Sequence, residues 1–423
     1  MTEDPPIVLG LREVWGGKIP FGLFHNDRRH HFYIIGKSGV GKTTLLCNLI
    51  LQDIEAGHGV GIIDPHGDLA ETLLDHIPRN RIEDVVYFNP ADVEYPIAFN
   101  LFSCVNAENR HLVASGIVGA FKSIWRDSWG PRLEYILYAA VAALLECDNV
   151  SLLGVPRMLS DRRFRARIVK QIKDPMLRSF WLNEFESYND RFLQEAIAPI
   201  QNKVGQLFMS PYLRNVLGQV RSKINARFMM DRGRIFIADL SKGKLGADKS
   251  NLLGALLATQ FELAAISRAT MPEDERKDFF LYVDEFQSFI SDSFVSMLSE
   301  ARKYRLCLTL SHQYADQLRP DIKAAVFGNV GSMLAFRLGY SDAIVLEKEF
   351  GATYTAAQFT ELSNYEACAK LLSGGKWREP FTCRTLPLQA KWHGRHKTII
   401  RRSREKYSTK RKIIEEKIRR WLQ

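Results

Sequence analysis

Short apolar runs alternate with helical patterns over residues 31–105. Residues 31–35 read as a strand, 42–56 as a helix, 59–64 as a second strand, 68–74 as helical and 85–89 as a third strand. Strand and helix alternating at this spacing predict a parallel, doubly wound sheet. The pattern changes between about 106 and 230. There Leu133, Ile136, Leu137, Val141, Leu144 and Leu145 recur at helical spacing. The stretch is entered through Gly130-Pro131, a proline suited to a first helical turn. Further helical patterns cover 162–173, 176–186 and 192–209, with no β-rich run among them. Alternation resumes after the turn Asp231-Arg232-Gly233. It gives strands at 235–240, 279–283 and 306–310, helices at 250–268 and 294–303, and a last core strand at 332–338. The expected organisation is therefore an N-terminal segment (1–30) and a discontinuous α/β domain (31–105 and 231–390). An all-α domain (106–230) is inserted in it, and a tail (391–423) follows.

Composition adds two constraints. The six cysteines (47, 104, 147, 307, 368 and 383) stand singly with no C-x-x-C pair, which argues against a zinc site or a disulfide framework. The longest uninterrupted apolar run, 135–145, falls short of the roughly 20 residues that cross a bilayer. The N-terminus M-T-E-D-P-P lacks the basic and apolar regions of a secretory signal. A soluble, cytoplasmic chain is expected, with any membrane association at the inner face supplied by partners. The net charge of +10 resides in the tail, where 391–423 hold 13 Lys/Arg against 3 Asp/Glu. The body is electrically balanced, so charge points to nucleic acid at the tail alone.

Chemistry enters at the end of the first strand. Gly36-Lys37-Ser38-Gly39-Val40-Gly41-Lys42-Thr43, followed by Thr44, fits G-x-x-x-x-G-K-[ST] between a strand and a helix. Glycines let backbone N–H groups wrap phosphates, and the helix N-terminus adds its positive end. Lys42 is placed to reach the β- and γ-phosphates of ATP, and the Thr43 hydroxyl to ligate Mg²⁺. Hydrolysis further needs an acid to hold the metal and a base to orient water. The apolar strand 279–283 delivers both, as Asp284 for the Mg²⁺ shell and Glu285 for the base. Gln313, at the tip of the neighbouring strand, is positioned to bridge the γ-phosphate and the water. Asp64, at the tip of the strand after the P-loop helix, faces the same crevice or stabilises the loop D-P-H-G-D.

Taken together, G-K-S-G-V-G-K-T, I-I-D-P-H-G-D-L, S-W-G-P-R-L-E-Y, L-Y-V-D-E-F-Q and L-S-E-A-R-K-Y-R-L resemble the HerA/FtsK superfamily. Within it, the chain is most similar to the TraG/TraD-like conjugative coupling proteins of type IV secretion, over about 20–385. The resemblance implies a RecA-like (ASCE) P-loop NTPase with an inserted all-α domain, assembled as a homohexamer that moves DNA at the expense of ATP. It implies that Arg302 acts in trans on the neighbour's γ-phosphate. The place of a second such arginine, just ahead of the P-loop strand, is taken by His30, after Arg28 and Arg29. A secretion channel, a relaxase or a nuclease are the implied partners. Two alternatives stay open: a HerA-like DNA-processing ATPase paired with a nuclease, and an ATP-switched receptor that recruits protein substrates to a secretion apparatus.

Candidate DNA contacts are Lys242 and Lys244, in a pore-loop position after a core strand, and the tail residues Arg401, Arg402, Arg404, Lys410, Arg411 and Lys412. Tyr407, Ile414, Ile418 and Leu422 give the tail an apolar stripe. It suits a DNA clamp, a helix docked on a neighbouring subunit, or an interfacial helix on anionic lipid. Phe121, Trp125, Trp129, Phe180, Trp181 and Phe185 lie at helical spacing in the insert and are expected in its core.

Overall fold

Buried on both faces, the short apolar runs line up as the centre of an eleven-stranded sheet. The structure is a computed structural model that describes residues 6–103 and 105–423. Residues 1–5 of the expected N-terminal segment, and Cys104, lie outside the described residues. The strands are β1 (Ile7–Val14), β2 (Gly17–Leu23), β3 (Phe32–Ile35), β4 (Gly59–Asp64), β5 (Val85–Phe88), β6 (Ile235–Asp239), β7 (Phe279–Val283), β8 (Leu306–His312), β9 (Ser332–Ala335), β10 (Glu366–Lys370) and β13 (Phe381–Thr385); β11 (Leu372–Ser373) and β12 (Lys376–Trp377) pair apart from it. Their order is β2-β1-β13-β10-β9-β3-β8-β7-β4-β6-β5. From β9 to β5 every pairing is parallel. From β9 to β2 every pairing is antiparallel. The doubly wound, mostly parallel sheet is thus present.

Alternation along each strand divides the core in two. In β7, Phe280 and Tyr282 join one cluster, with the helix α1 (Lys42–Glu55) and the helix Asp68–His76. Phe279, Leu281 and Val283 join the other, with the helices Ala247–Ile266, Arg110–Ile124 and Pro131–Leu145. The helix Ala247–Ile266 lies in a stretch long and apolar enough to cross a bilayer by length and composition, yet 72% of that window is buried inside the fold. Between β5 and β6 the described elements are helical, and Phe121, Phe180, Trp181 and Phe185 are core residues, with Trp125 and Trp129 packed against them.

Two expectations are corrected. Residues 332–338 do not form the last core strand, because β10, β13, β1 and β2 extend the sheet past β9. The signal was weak for physical reasons. The strand β10 reads E-A-C-A-K, with small side chains, and the register of β1 shifts between Val8 and Gly10. The tail also belongs to the fold. Its helices His396–Tyr407 and Arg411–Leu422 bury Ile399, Ile414 and Ile418 against the chain's own core, so most of the apolar stripe is covered internally. The Ser403 hydroxyl accepts from the Tyr87 amide (2.9 Å), covering an amide of the edge strand β5. Arg404 is paired with Asp92, Arg411 with Glu415 and Glu94, and Arg401 and Arg402 lie within 4.0 Å of carboxylates.

Candidate functional site

The parallel strands all end on one side of the sheet, and a cleft of about 360 Å³ opens there. It is lined by Ser38, Gly39, Gly41, Lys42, Thr43 and Thr44 from the P-loop. Asp64 ends β4 and His66, Asp68 and Leu69 follow it, Asp284 and Glu285 follow β7, Gln313 follows β8, and Tyr365 precedes β10. The loop after β3 is fixed at its start: the Gly36 amide donates to the His312 carbonyl (3.2 Å) and the Lys37 amide to the Arg337 carbonyl (3.0 Å). It then turns through Gly39 and Gly41 at φ 76° and 113°, conformations open to glycine. Val40 is anchored in the core. The Lys42 ammonium donates to the Gly36 and Lys37 carbonyls (2.6 and 2.9 Å), at the mouth of the loop where phosphates would lie.

The carboxylates meet Lys42 although some 240 residues separate the two motifs in sequence, because β7 is only two strands from β3. Asp284 and Glu285 are both buried. Burial, with repulsion from Asp64 and Glu285, raises the pKa of Asp284; burial, with repulsion from Asp239, raises that of Asp64. Burial lowers the pKa of Lys42 against the pull of Glu285 and Asp284. Glu285 sits at φ 46°, a left-handed conformation unusual for a non-glycine residue, and its carboxylate accepts from the side-chain amides of Gln287 and Gln313. Gln313 therefore stands beside the base as well as at the cleft wall.

Asp64 serves its own loop, accepting from the His66 and Ala70 amides (2.8 and 2.9 Å), while also lining the cleft. Among the described residues, no group of three or more His, Cys, Asp or Glu is arranged to hold a metal unaided. A cation that keeps waters and borrows phosphate oxygens, as Mg²⁺ does, fits this donor set. Asp284 and the Thr43 hydroxyl would hold it, and the crowding of buried carboxylates is the observation that favours one.

Lys242 and Lys244 do not stand in an open loop, since Lys242–Leu245 forms a helical turn beside the cleft. The Lys242 ammonium donates to Ser288 (2.8 Å), and its charge is felt by Glu285 and Asp284. Lys244 pairs with Glu71 (3.1 Å). Arg302 lies outside the cleft, in the turn Ala301–Tyr304 that enters β8 at the opposite end of the sheet. It is exposed and bonded to His30 (3.0 Å). Arg28 and Arg29 are committed elsewhere: Arg28 to Asp53 (2.6 and 2.8 Å) and Arg29 to Asp278 (2.8 Å). Sequence reasoning missed His66, Asp68, Gln287 and Tyr365. The first three stand within four residues of a strand tip already identified, and that position was the available signal. Tyr365 gave none.

The sequence profile of a family described as helicase HerA, central domain, matches residues 14–259. Among solved structures, an unbound form of the bacterial conjugative coupling protein TrwBdeltaN70 is similar over 89% of this chain and 88% of that one, at 15% identity and a TM-score of 0.64. The plasmid coupling protein TrwB in complex with ADP and Mg²⁺ is similar over 93% of this chain and 97% of that one, at 15% identity and a TM-score of 0.63. VirB4 of Thermoanaerobacter pseudethanolicus matches over 91% and 97%, at 15% identity and a TM-score of 0.50. No curated protein matches the sequence. At these identities the likeness establishes the fold, a RecA-like P-loop NTPase sheet.

Proposed function

Because the chain belongs to the family of the HerA helicase central domain, we propose that it is an ATP-hydrolysing motor that moves DNA as a ring of identical subunits. Residues 31–105 and 231–390, with β1 and β2 completing their sheet, would form the motor domain and 106–230 a helical domain inserted in it. The observation that carries this reading is the meeting of Lys42, Thr43, Asp284, Glu285 and Gln313 around one cleft at the carboxyl ends of parallel strands. TrwB, of the same fold, has been crystallised with ADP and Mg²⁺ and with ATP and GTP analogues.

In the proposed mechanism the P-loop amides and Lys42 hold the triphosphate. Mg²⁺, when bound through Thr43 and Asp284, offsets negative charge on the phosphates. Glu285 takes the proton of the attacking water, with its carboxylate oriented by Gln287 and Gln313. Arg302 stands at the far end of its own sheet and cannot reach its own nucleotide. It is therefore suited to the γ-phosphate of a neighbour, as a ring requires.

The reading is tested by turnover with and without DNA, alongside mass by light scattering with ATP bound. DNA stimulation and a ring mass are expected. Glu285→Gln should bind ATP normally and lose turnover by about 10²- to 10⁴-fold, the usual contribution of a general base. Stimulation by a protein partner alone would favour the receptor reading instead. Copurification of a nuclease would select the HerA-like, nuclease-paired form.

A further inference from the structure

Among the side chains that line the cleft, Tyr365 is aromatic and has no task in hydrolysis. It follows the helix Ala356–Glu361 and directly precedes β10. The strand order puts β8 and β7, with Gln313 and the two catalytic carboxylates, on one side of β3, and β9 and β10 on the other. Tyr365 thus reaches the P-loop from the side opposite Glu285. A triphosphate whose terminal phosphate meets Glu285 directs its nucleoside away from the carboxylates, toward this ring.

The ring is held in place from three directions. The Tyr365 amide donates to the Val40 carbonyl inside the P-loop (2.9 Å), and its carbonyl accepts from the Thr385 amide (2.8 Å). Its ring lies on Gly41, where an added Cβ would come within 2.7 Å of Tyr365 Cδ1. Gly41 therefore both turns the loop and seats the aromatic side chain. Tyr365 is 40% exposed and adopts φ 68°, a conformation that costs a non-glycine residue energy and persists where the surroundings impose it. The ring is left partly exposed and lines the cleft beside the P-loop.

Resting on the nucleotide reading above, we propose that Tyr365 is the stacking platform for the nucleobase, so that the site selects purine nucleoside triphosphates by ring overlap. A ring face does not read hydrogen-bonding edges, so ATP and GTP bind alike, CTP binds more weakly, and inorganic tripolyphosphate binds most weakly.

The test is calorimetric titration of the full chain with ATP, GTP, CTP and tripolyphosphate in Mg²⁺, for wild type, Tyr365→Ala, Tyr365→Phe and Lys42→Ala. Alanine keeps the Cβ and removes only the ring. Tyr365→Ala is expected to weaken ATP and GTP at least about fivefold, the low end of base–aromatic stacking, with tripolyphosphate unchanged. Tyr365→Phe should bind as wild type. Unchanged ATP affinity in Tyr365→Ala overturns the proposal. So does an equal loss for ATP and tripolyphosphate, which would mean that the ring only braces the loop. Should Lys42→Ala bind every ligand as wild type does, the nucleotide reading itself falls, and the platform with it.

Discussion

Two clusters of buried charge share one helix and one strand, and they are built in opposite ways. At the far end of α1, Asp53 accepts from both Arg28 nitrogens and from the Tyr282 hydroxyl, and Arg28 lies 3.7 Å from the Phe280 ring centroid. Burial alone would lower the pKa of Arg28, but Asp53 and Tyr282 raise it further than burial lowers it, so the guanidinium keeps its charge. At the near end of α1 stands Lys42, and two residues beyond Tyr282 stands Asp284. There Asp64, Asp284 and Glu285 crowd one another, and burial raises the pKa of both aspartates. The first cluster joins the turn before the P-loop strand to α1 and β7. The second leaves negative charge for a phosphate-bound cation to balance. Complete pairing marks scaffold, and incomplete pairing marks the site.

The largest break in that contrast concerns the charge that completes the site from outside. Arg302→Ala should bind ATP as wild type does, yet lose turnover by about 10³-fold or more, the range of an arginine acting in trans. Mixing Arg302→Ala with Glu285→Gln subunits should restore turnover, because some interfaces then hold an intact glutamate facing an intact arginine. No recovery on mixing would assign Arg302 a local role, in which it braces His30.

In the paired cluster, Asp53→Asn leaves the Arg28 charge buried without its partner. A loss of about 3–5 kcal/mol in denaturant unfolding is expected, as for other broken buried pairs. A loss under about 1 kcal/mol, the worth of an exposed pair, would mean that the cluster does not hold the fold.

The P-loop and the Asp284-Glu285 pair were legible because each is a short string fixed to an apolar strand, and strand ends are where α/β sites assemble. Their meeting depends on strand order, which local pattern does not encode. Gln287 lay two residues from Glu285 in a quoted motif, but its role required seeing the glutamate's left-handed backbone turn both oxygens toward amides. The antiparallel part of the sheet was hidden because the register of β1 shifts between Val8 and Gly10, β2 is largely exposed, and the buried centre of β10 is small. In the tail, the stripe Ile414–Ile418 was visible while its partner, the chain's own helical stretch, was not.

A smaller effect follows from two buried histidines beside the P-loop strand. The His31 Nδ1 accepts from the Leu308 amide (3.1 Å), leaving Nε2 to donate to the Leu298 carbonyl (3.1 Å), a neutral ring in one tautomer. Burial lowers His31 to about 4 and His312 to about 3. Below the ordinary histidine value of 6.5 the unfolded chain binds protons that the folded chain refuses, so these residues withdraw stability as pH falls from 6.5 toward 4. Replacing His31 with Gln, which offers an acceptor and a donor but does not titrate, should flatten that slope in thermal melts across the window. An unchanged slope would remove His31 from the account.

The most direct test compares Asp284→Asn with Asp53→Asn in stability and turnover together. The folded-state pKa of Asp284 is raised, so its ionised form opposes folding once pH exceeds the unfolded carboxylate value. Removing that charge should therefore raise the melting temperature at neutral pH by about a degree or two while abolishing hydrolysis. Asp53→Asn should lower the melting temperature by far more, with its residual folded fraction still able to bind ATP. If Asp284→Asn instead destabilises the chain as Asp53→Asn does, or hydrolyses ATP at the wild-type rate, the division into a paired scaffold and a deliberately unbalanced site is wrong.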